Sequence, residues 1–202
     1  MSGFDLKIDF QAAEAVLKDL PKSKADLIMM RATNRAITTA AATMRKETAQ
    51  KYRIKSTDVG KTLVKLKANR HNPTARIISR GRHINLAKFK ASPNRPVKYG
   101  KPKGRGHNPS PKVYKAAVRK EQEIQPLGGE NKPFIAVMSN GFQGMFRRKT
   151  RQTTKGRNNS IIGVSGPSVP QMLSNDAIQK SVIKEAENMM LERLDHEINR
   201  VL

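Results

Sequence analysis

The chain has 202 residues, long enough for one domain with a real core, but that core has no Trp and nine Phe and Tyr in all. It carries 40 Lys and Arg against 16 Asp and Glu, a net charge of +24. With no Cys, disulfides, thiolate catalysis and Cys-based zinc sites are excluded. No apolar run approaches the ~18–20 residues of a membrane span, and the opening MSGFDLKIDF lacks a secretory layout. The expectation is a protein assembled in a reducing cytoplasm.

The charge is unevenly spread. Residues 1–50 carry 8 Lys and Arg against 6 Asp and Glu, a net +2. Residues 51–158 carry 28 against 4, a net +24, and residues 159–202 carry 4 against 6, a net −2. A segment so one-sided repels itself and calls for a polyanion or an acidic protein face opposite it. A solvating surface normally mixes both signs.

Along the chain, Phe4, Leu6, Ile8 and Phe10 alternate with polar residues, the pattern of a half-buried strand. Residues 11–20 have helical composition, and Pro21 ends or kinks that element. A long helix is predicted from about Ser23, placed as an N-cap, to Tyr52. Its apolar stripe is Leu27, Met30, Ala36 or Ile37, Ala40, Ala41 and Met44, and its Ala-rich centre permits close approach. Ser56 or Thr57 then caps a short predicted helix with Val59, Leu63, Val64 and Leu66 on its buried side. The Gly60-Lys61-Thr62 triplet resembles a phosphate-binding loop, but the position needing an earlier Gly is Lys55 and no apolar strand leads in.

Strands are predicted at residues 75–78 and 84–90, with Gly81 at the turn, although Leu86, Lys88 and Phe89 do not alternate cleanly. Residues 92–111, rich in Pro, Gly, Lys and Arg, form a long loop, a kind that is usually functional or disordered. Val113 to Val118 resumes the sheet, and Pro126 to Gly129 is a turn. The apolar run Phe134 to Met138 has the composition of a buried strand, and Ser139-Asn140-Gly141 reads as a tight hairpin turn. Gly144-Met145-Phe146 returns into a basic arm holding Arg147, Arg148, Lys149, Arg151, Lys155 and Arg157. A third run, Ile161 to Val164, leads to the stiff segment Gly166-Pro167-Ser168-Val169-Pro170-Gln171-Met172-Leu173. A last helix, capped by Ser174 or Asn175, carries Ile178, Val182, Ala186, Met190, Leu194, Ile198 and Leu202 in steps of four.

The sum is an α+β fold of mainly antiparallel sheet, with a long N-terminal helix, a C-terminal amphipathic helix packed on it, and long basic loops. It reads as one domain over 1–202: strand and helices to residue 52, a basic sheet region over 53–165, and linker plus helix over 166–202.

Signals for chemistry are sparse. His71, His83, His107 and His196 form no metal-ligand spacing, and the first three lie in basic surroundings that disfavour a bound cation. The middle region has too few carboxylates for paired acid–base work, and no nucleophile-elbow pattern exists, so an enzyme is not expected and no cofactor is implied. A zinc-finger, RNA-recognition or helix-turn-helix signature is also missing, which leaves sequence-independent phosphate contact. The candidate contact set for DNA or an acidic partner is Lys98, Lys101, Lys103 and Arg105 in the long loop, with the six basic residues of the arm.

Phe134-Ile135-Ala136, Gly144 to Arg148, Ile161-Ile162 and above all Gly166 to Leu173 resemble the minor tail protein Z family of long-tailed phages and prophages. Arg31 to Ile37, Tyr52 to Lys55 and Leu86 to Phe89 extend the likeness over most of the chain. The resemblance implies a structural virion protein at the head-proximal end of the tail, which completes the tail and enables head joining. It also implies a hexameric ring whose neighbours are the tail terminator and tail tube, with a head-tail connector and viral DNA as further partners and no membrane. Pro167, Ser168, Val169 and Pro170 are the candidate assembly and linker residues. The alternative is a free, sequence-independent nucleic-acid-binding protein.

Overall fold

The computed structural model describes residues 2–7, 17–18, 20–70, 72, 74–96, 113–128, 131–149 and 160–201. Among the described residues the fold is α+β, with two long helices and three small, wholly antiparallel sheets. The chain divides into two compact units. The helical unit comprises residues 1–50, 55–82 and 168–202, and the sheet unit comprises 51–54 and 83–167. No helix among the described residues is long and apolar enough to cross a membrane.

In the helical unit, β1 (Ser2–Lys7) pairs with β3 (Arg76–Gly81), which also pairs with β2 (Leu63–Leu66). Phe4 and Leu6 of β1 are buried, as the alternation requires; Ile8 and Phe10 lie outside the described residues, as does most of the helical stretch predicted at 11–20. Helix α1 (Lys22–Lys51) begins one residue before the expected Ser23 cap. Pro21 opens it, its carbonyl accepting from the Lys24 and Ala25 amides at 2.9 and 3.0 Å. The buried stripe of α1 is Ile28, Met29, Ala32, Ala36, Ile37, Ala40, Ala41 and Met44; Leu27 and Met30 are only half-buried. The stripe is therefore displaced by one position in its first turns.

Helix α2 (Ser56–Gly60) is shorter than predicted and is capped by Lys55 without a side-chain bond, not by Ser56 or Thr57. Leu63, Val64 and Leu66 are not its buried face. They form edge strand β2, where Val64 is 55% and Leu66 46% exposed. The Ser168–Leu173 segment is also more than a linker: Val169–Leu173 is a helix of its own, α3, packed on β1 and β3. Helix α4 (Asp176–Val201) follows directly after Asn175, the expected cap position. Met190 and Leu194 of α4 pack with Leu17, Ile28, Met29, Ala32 and Ala36 into one core cluster. The small alanines of α1 leave room for the larger side chains of α4, the alternation of large and small by which close-packed interiors interdigitate.

Among the described residues the sheet unit holds two three-stranded sheets. One orders β4 (Lys90–Ser92), β5 (Lys115–Ala117) and β6 (Gln125–Pro126); the other orders β7 (Phe134–Val137), β8 (Gln143–Arg148) and β9 (Ile161–Gly163). The predicted strand at 84–90 is mostly a single 3₁₀ turn, Leu86–Lys88, which explains the broken alternation. Asn85 sets it up. Its Oδ1 accepts from the Ala87 and Met145 amides at 3.0 and 2.7 Å, and its Nδ2 donates to the Met145 carbonyl at 2.9 Å. One amide side chain thereby stands in for a strand partner of β8 while capping the turn.

The Asn140-Gly141 hairpin forms as expected. Gly141 has φ +78°, and the Met138 amide donates to the Phe142 carbonyl at 2.9 Å. Strand β7 is less buried than its composition suggests: Ile135 is buried, but Val137 is 55% exposed. Gly144 leaves room for two rings, since a Cβ there would stand 2.6 Å from Phe142 Cε1 and 3.0 Å from Cζ of the buried Phe146.

Candidate functional site

The basic surface of the sheet unit grows out of β8. Its middle buries Gly144, Met145 and Phe146, its end exposes Arg147 and Arg148, and Lys149 is exposed just beyond it. Arg147 and Arg148 stand across from Ile162 and Ile161 of β9, and the Lys149 amide donates to the Ser160 carbonyl at 2.8 Å, closing the base of the arm. Arg148 places its guanidinium 5.8 Å from the Phe134 ring centroid, a cation–π contact that holds the side chain up without neutralising it. Neither arginine has a carboxylate partner among the described residues. The ion pairs described there, Arg31 and Arg193 with Glu197 and Lys61 with Asp58, belong to the helical unit.

The other predicted cations, Lys98, Lys101, Lys103, Arg105, Arg151, Lys155 and Arg157, lie outside the described residues. The roots of their two segments are defined. The long loop leaves after β4, where Gln143 Nε2 donates to the Asn94 carbonyl at 2.7 Å, and it returns into β5 through Tyr114. Gln143 begins β8 and Arg148 ends it, so the root of the long loop touches one end of this strand and the arm leaves from the other. At the rise of an antiparallel strand, those two ends of β8 are roughly 17 Å apart.

The four candidate assembly residues resolve into a capped helix start. Ser168 is the N-cap of α3; its Oγ accepts from the Gln171 amide at 3.4 Å, and Gln171 Oε1 accepts from the Ser168 amide at 2.9 Å. This reciprocal box fixes where the helix begins. Val169 and Pro170 are buried with Met172 and Leu173, while Pro167 is half-buried. Pro170 occupies the first helical turn, where no amide is needed. Packing and capping thus give Ser168, Val169 and Pro170 a place inside the subunit.

A second polar constellation, which the sequence reading missed, lies in the helical unit. Arg31, Asn34, Arg35 and Thr38 of α1 line a cleft of about 540 Å³ with Arg193, Glu197 and Arg200 of α4. Glu197 is fully buried. Arg31 Nη1 donates to its Oε2 at 3.0 Å, and Arg193 Nη2 lies 2.6 Å from its Oε1 in an ion pair too bent to be a hydrogen bond. Burial by itself pushes the Glu197 carboxyl up; the Arg31 hydrogen bond and the charges of Arg193, Arg31 and Arg200 outweigh it and hold the carboxyl below its usual 4.5. Asn34 is already committed, donating to the Ala68 carbonyl at 3.0 Å and accepting from the Ala68 amide at 2.9 Å. The available signal was spacing: Arg31, Asn34, Arg35 and Thr38 share one helix face, as do Arg193, Glu197 and Arg200. Their meeting across 166 positions of sequence has no local trace.

A packed helical frame and a basic strand end with no ion-pair partner among the described residues suit a structural component of a particle, and the comparison with known families agrees in making the chain a phage tail protein. The family model that matches, over residues 10–202, is that of prophage minor tail protein Z, and the chain belongs to this family. No curated protein and no solved structure matches it. Membership places the protein in the virion and among other tail or virion proteins.

Proposed function

We propose that the protein completes the head-proximal end of the tail and makes it competent to join heads. In this reading it is one domain in function, repeated in a hexameric ring beside the tail terminator and tail tube and below the head-tail connector. The basic loops, with Lys98, Lys101, Lys103, Arg105, Arg147, Arg148, Lys149, Arg151, Lys155 and Arg157, contact DNA in the lumen or an acidic neighbouring ring. The observation that carries the reading is the exposed Arg147-Arg148-Lys149 end of β8, which has no carboxylate partner among the described residues in a chain of this family. Cations built onto a buried strand and left uncompensated are poised for an external anion.

The test is the double substitution Arg147→Glu with Arg148→Glu. The subunit is expected to fold and the tails to form, while joining of tails to heads in an in vitro complementation assay drops. Wild-type joining by that variant overturns a role for the arm. A gel shift over a salt series then separates the two anions. Binding of naked DNA that falls steeply with salt supports phosphate contact, and unchanged DNA retention alongside lost joining supports an acidic protein ring.

A further inference from the structure

The arginine cleft of the helical unit has more positive charge than its own residues neutralise. Four guanidinia share it with one carboxylate, Glu197, whose two oxygens are engaged by Arg31 and Arg193. Arg35 and Arg200 remain exposed at the rim with no carboxylate partner among the described residues. Thr38 is committed to its own helix, its Oγ1 donating to the Asn34 carbonyl at 2.8 Å. The chain has more Lys than Arg, yet every cation lining the cleft is Arg. A planar guanidinium fork pairs with a carboxylate through two parallel bonds, a geometry Lys does not offer.

The same helix presents the complementary charge on its other side. Glu185, Glu192 and Asp195 are exposed and recur at intervals of seven and three, so they share one side of α4. At 100° per residue, Glu192 and Asp195 point roughly opposite to Glu197. With Glu187 and Asp176, also exposed, this helix holds most of the exposed acid among the described residues of a strongly basic chain.

We propose that the cleft of one subunit receives the acidic side of α4 from a second copy, Arg35 and Arg200 pairing with Glu192 and Asp195. Because the two patches differ, the contact is head-to-tail and propagates into a ring or a filament instead of stopping at a dimer. A duplex is a poorer occupant: the cleft has a carboxylate set among its arginines, whereas a nucleic-acid backbone needs an unbroken track of cations. The contact supplies an interface for the proposed ring and rests on that reading for its setting. It is tested on the isolated protein, so its failure leaves the head-joining assay standing.

Two neutralised variants decide it, Arg35→Gln with Arg200→Gln, and Glu192→Gln with Asp195→Asn. Both change exposed side chains and leave Arg31, Arg193 and Glu197 in place, with unchanged thermal melting as the folding control. In sedimentation velocity at low salt over rising concentration, wild-type protein is expected to form species beyond the dimer that dissociate as salt rises. Each variant alone associates roughly tenfold more weakly. An equimolar mixture gives a heterodimer and nothing larger, since one cleft and one acidic face remain per pair. A monomeric wild type throughout overturns the proposal, and so does wild-type association by the cleft variant. Loss of DNA binding with self-association intact assigns the cleft to phosphate and overturns it as well.

Discussion

The two units handle charge in opposite ways. The parts of the helical unit at 1–50 and 168–202 carry 12 Lys and Arg against 12 Asp and Glu, a net charge of zero. The α2–β2–β3 stretch at 55–82 adds 8 against 1, or +7, and the sheet unit has 20 against 3, or +17. In the helical frame, charge enters the packing: Glu197 is buried and bound to two arginines. On β8 it does not, since the strand buries Met145 and Phe146 and sends Arg147 and Arg148 outward. The difference teaches that close packing and exposed, unpaired charge fall on different residues, and therefore can be broken separately.

The largest expected effect comes from the apolar seam of the helical frame. Leu194 is buried in the cluster with Met190, Ile28 and Ala32. Leu194→Ala leaves a cavity that rigid helix backbones fill poorly, and is expected to cost about 3–4 kcal/mol in denaturant unfolding. A loss below about 1 kcal/mol would mean that the two long helices do not share this core.

Next is the ion cluster beside it. Glu197→Ala removes the acid that holds Arg31 and Arg193, and is expected to cost about 3 kcal/mol, the low end for a broken buried pair because both arginines are partly exposed. The sign of its pH dependence follows from the direction of the shift. A carboxyl held below 4.5 in the folded state binds its proton more readily when unfolded, so its contribution is full above 4.5 and is lost as pH falls through the folded value. Glu197→Gln is expected to lower stability at neutral pH and to flatten the acid limb of a stability–pH profile. Parallel acid limbs for Gln variant and wild type would place the titrating group elsewhere.

These two sites also mark what was legible in the sequence. The stripes of α1 and α4 repeat every three to four residues over seven turns or more, so their existence and inward faces could be read, with an error of one position near Ile28. The hairpin was legible because Asn140-Gly141 has few other uses. Strand β2 was not, because Val64 and Leu66 are apolar residues left exposed on an edge, and periodicity reads apolar as buried. Nor was the 3₁₀ turn, where Asn85 makes by side chain what a strand makes by backbone. The arginine cleft was hidden for another reason. Arg31 and Glu197 each look like a solvated helix residue until α1 and α4 are brought together.

A smaller effect is expected at the start of α3. Ser168→Ala removes the cap acceptor while Val169, Met172 and Leu173 stay buried, so the helix is weakened and not lost. The expected cost is about 1 kcal/mol by thermal melting, with Ser168→Asp recovering part of it. Equal loss in both variants would point to the fully buried site rejecting any change, and away from capping.

The smallest stability effect, and the one that sharpens the contrast most, belongs to the arm. Arg147→Glu with Arg148→Glu alters two exposed side chains and removes the stacking of the Arg148 guanidinium on the Phe134 ring. That removal costs at most about 0.5–1 kcal/mol for an exposed cation–π pair. Against it stands relief of self-repulsion in a unit of net +17, since the two reversals lower its charge by four. The two effects nearly cancel, so the change is expected to lie within about 0.5 kcal/mol, and on the stabilising side at low salt. Raising the salt screens the repulsion and should turn the sign toward a slight loss. A salt-independent destabilisation beyond about 1 kcal/mol would show that these arginines are part of the packing of β8, and that charge and stability are not separated in the sheet unit after all.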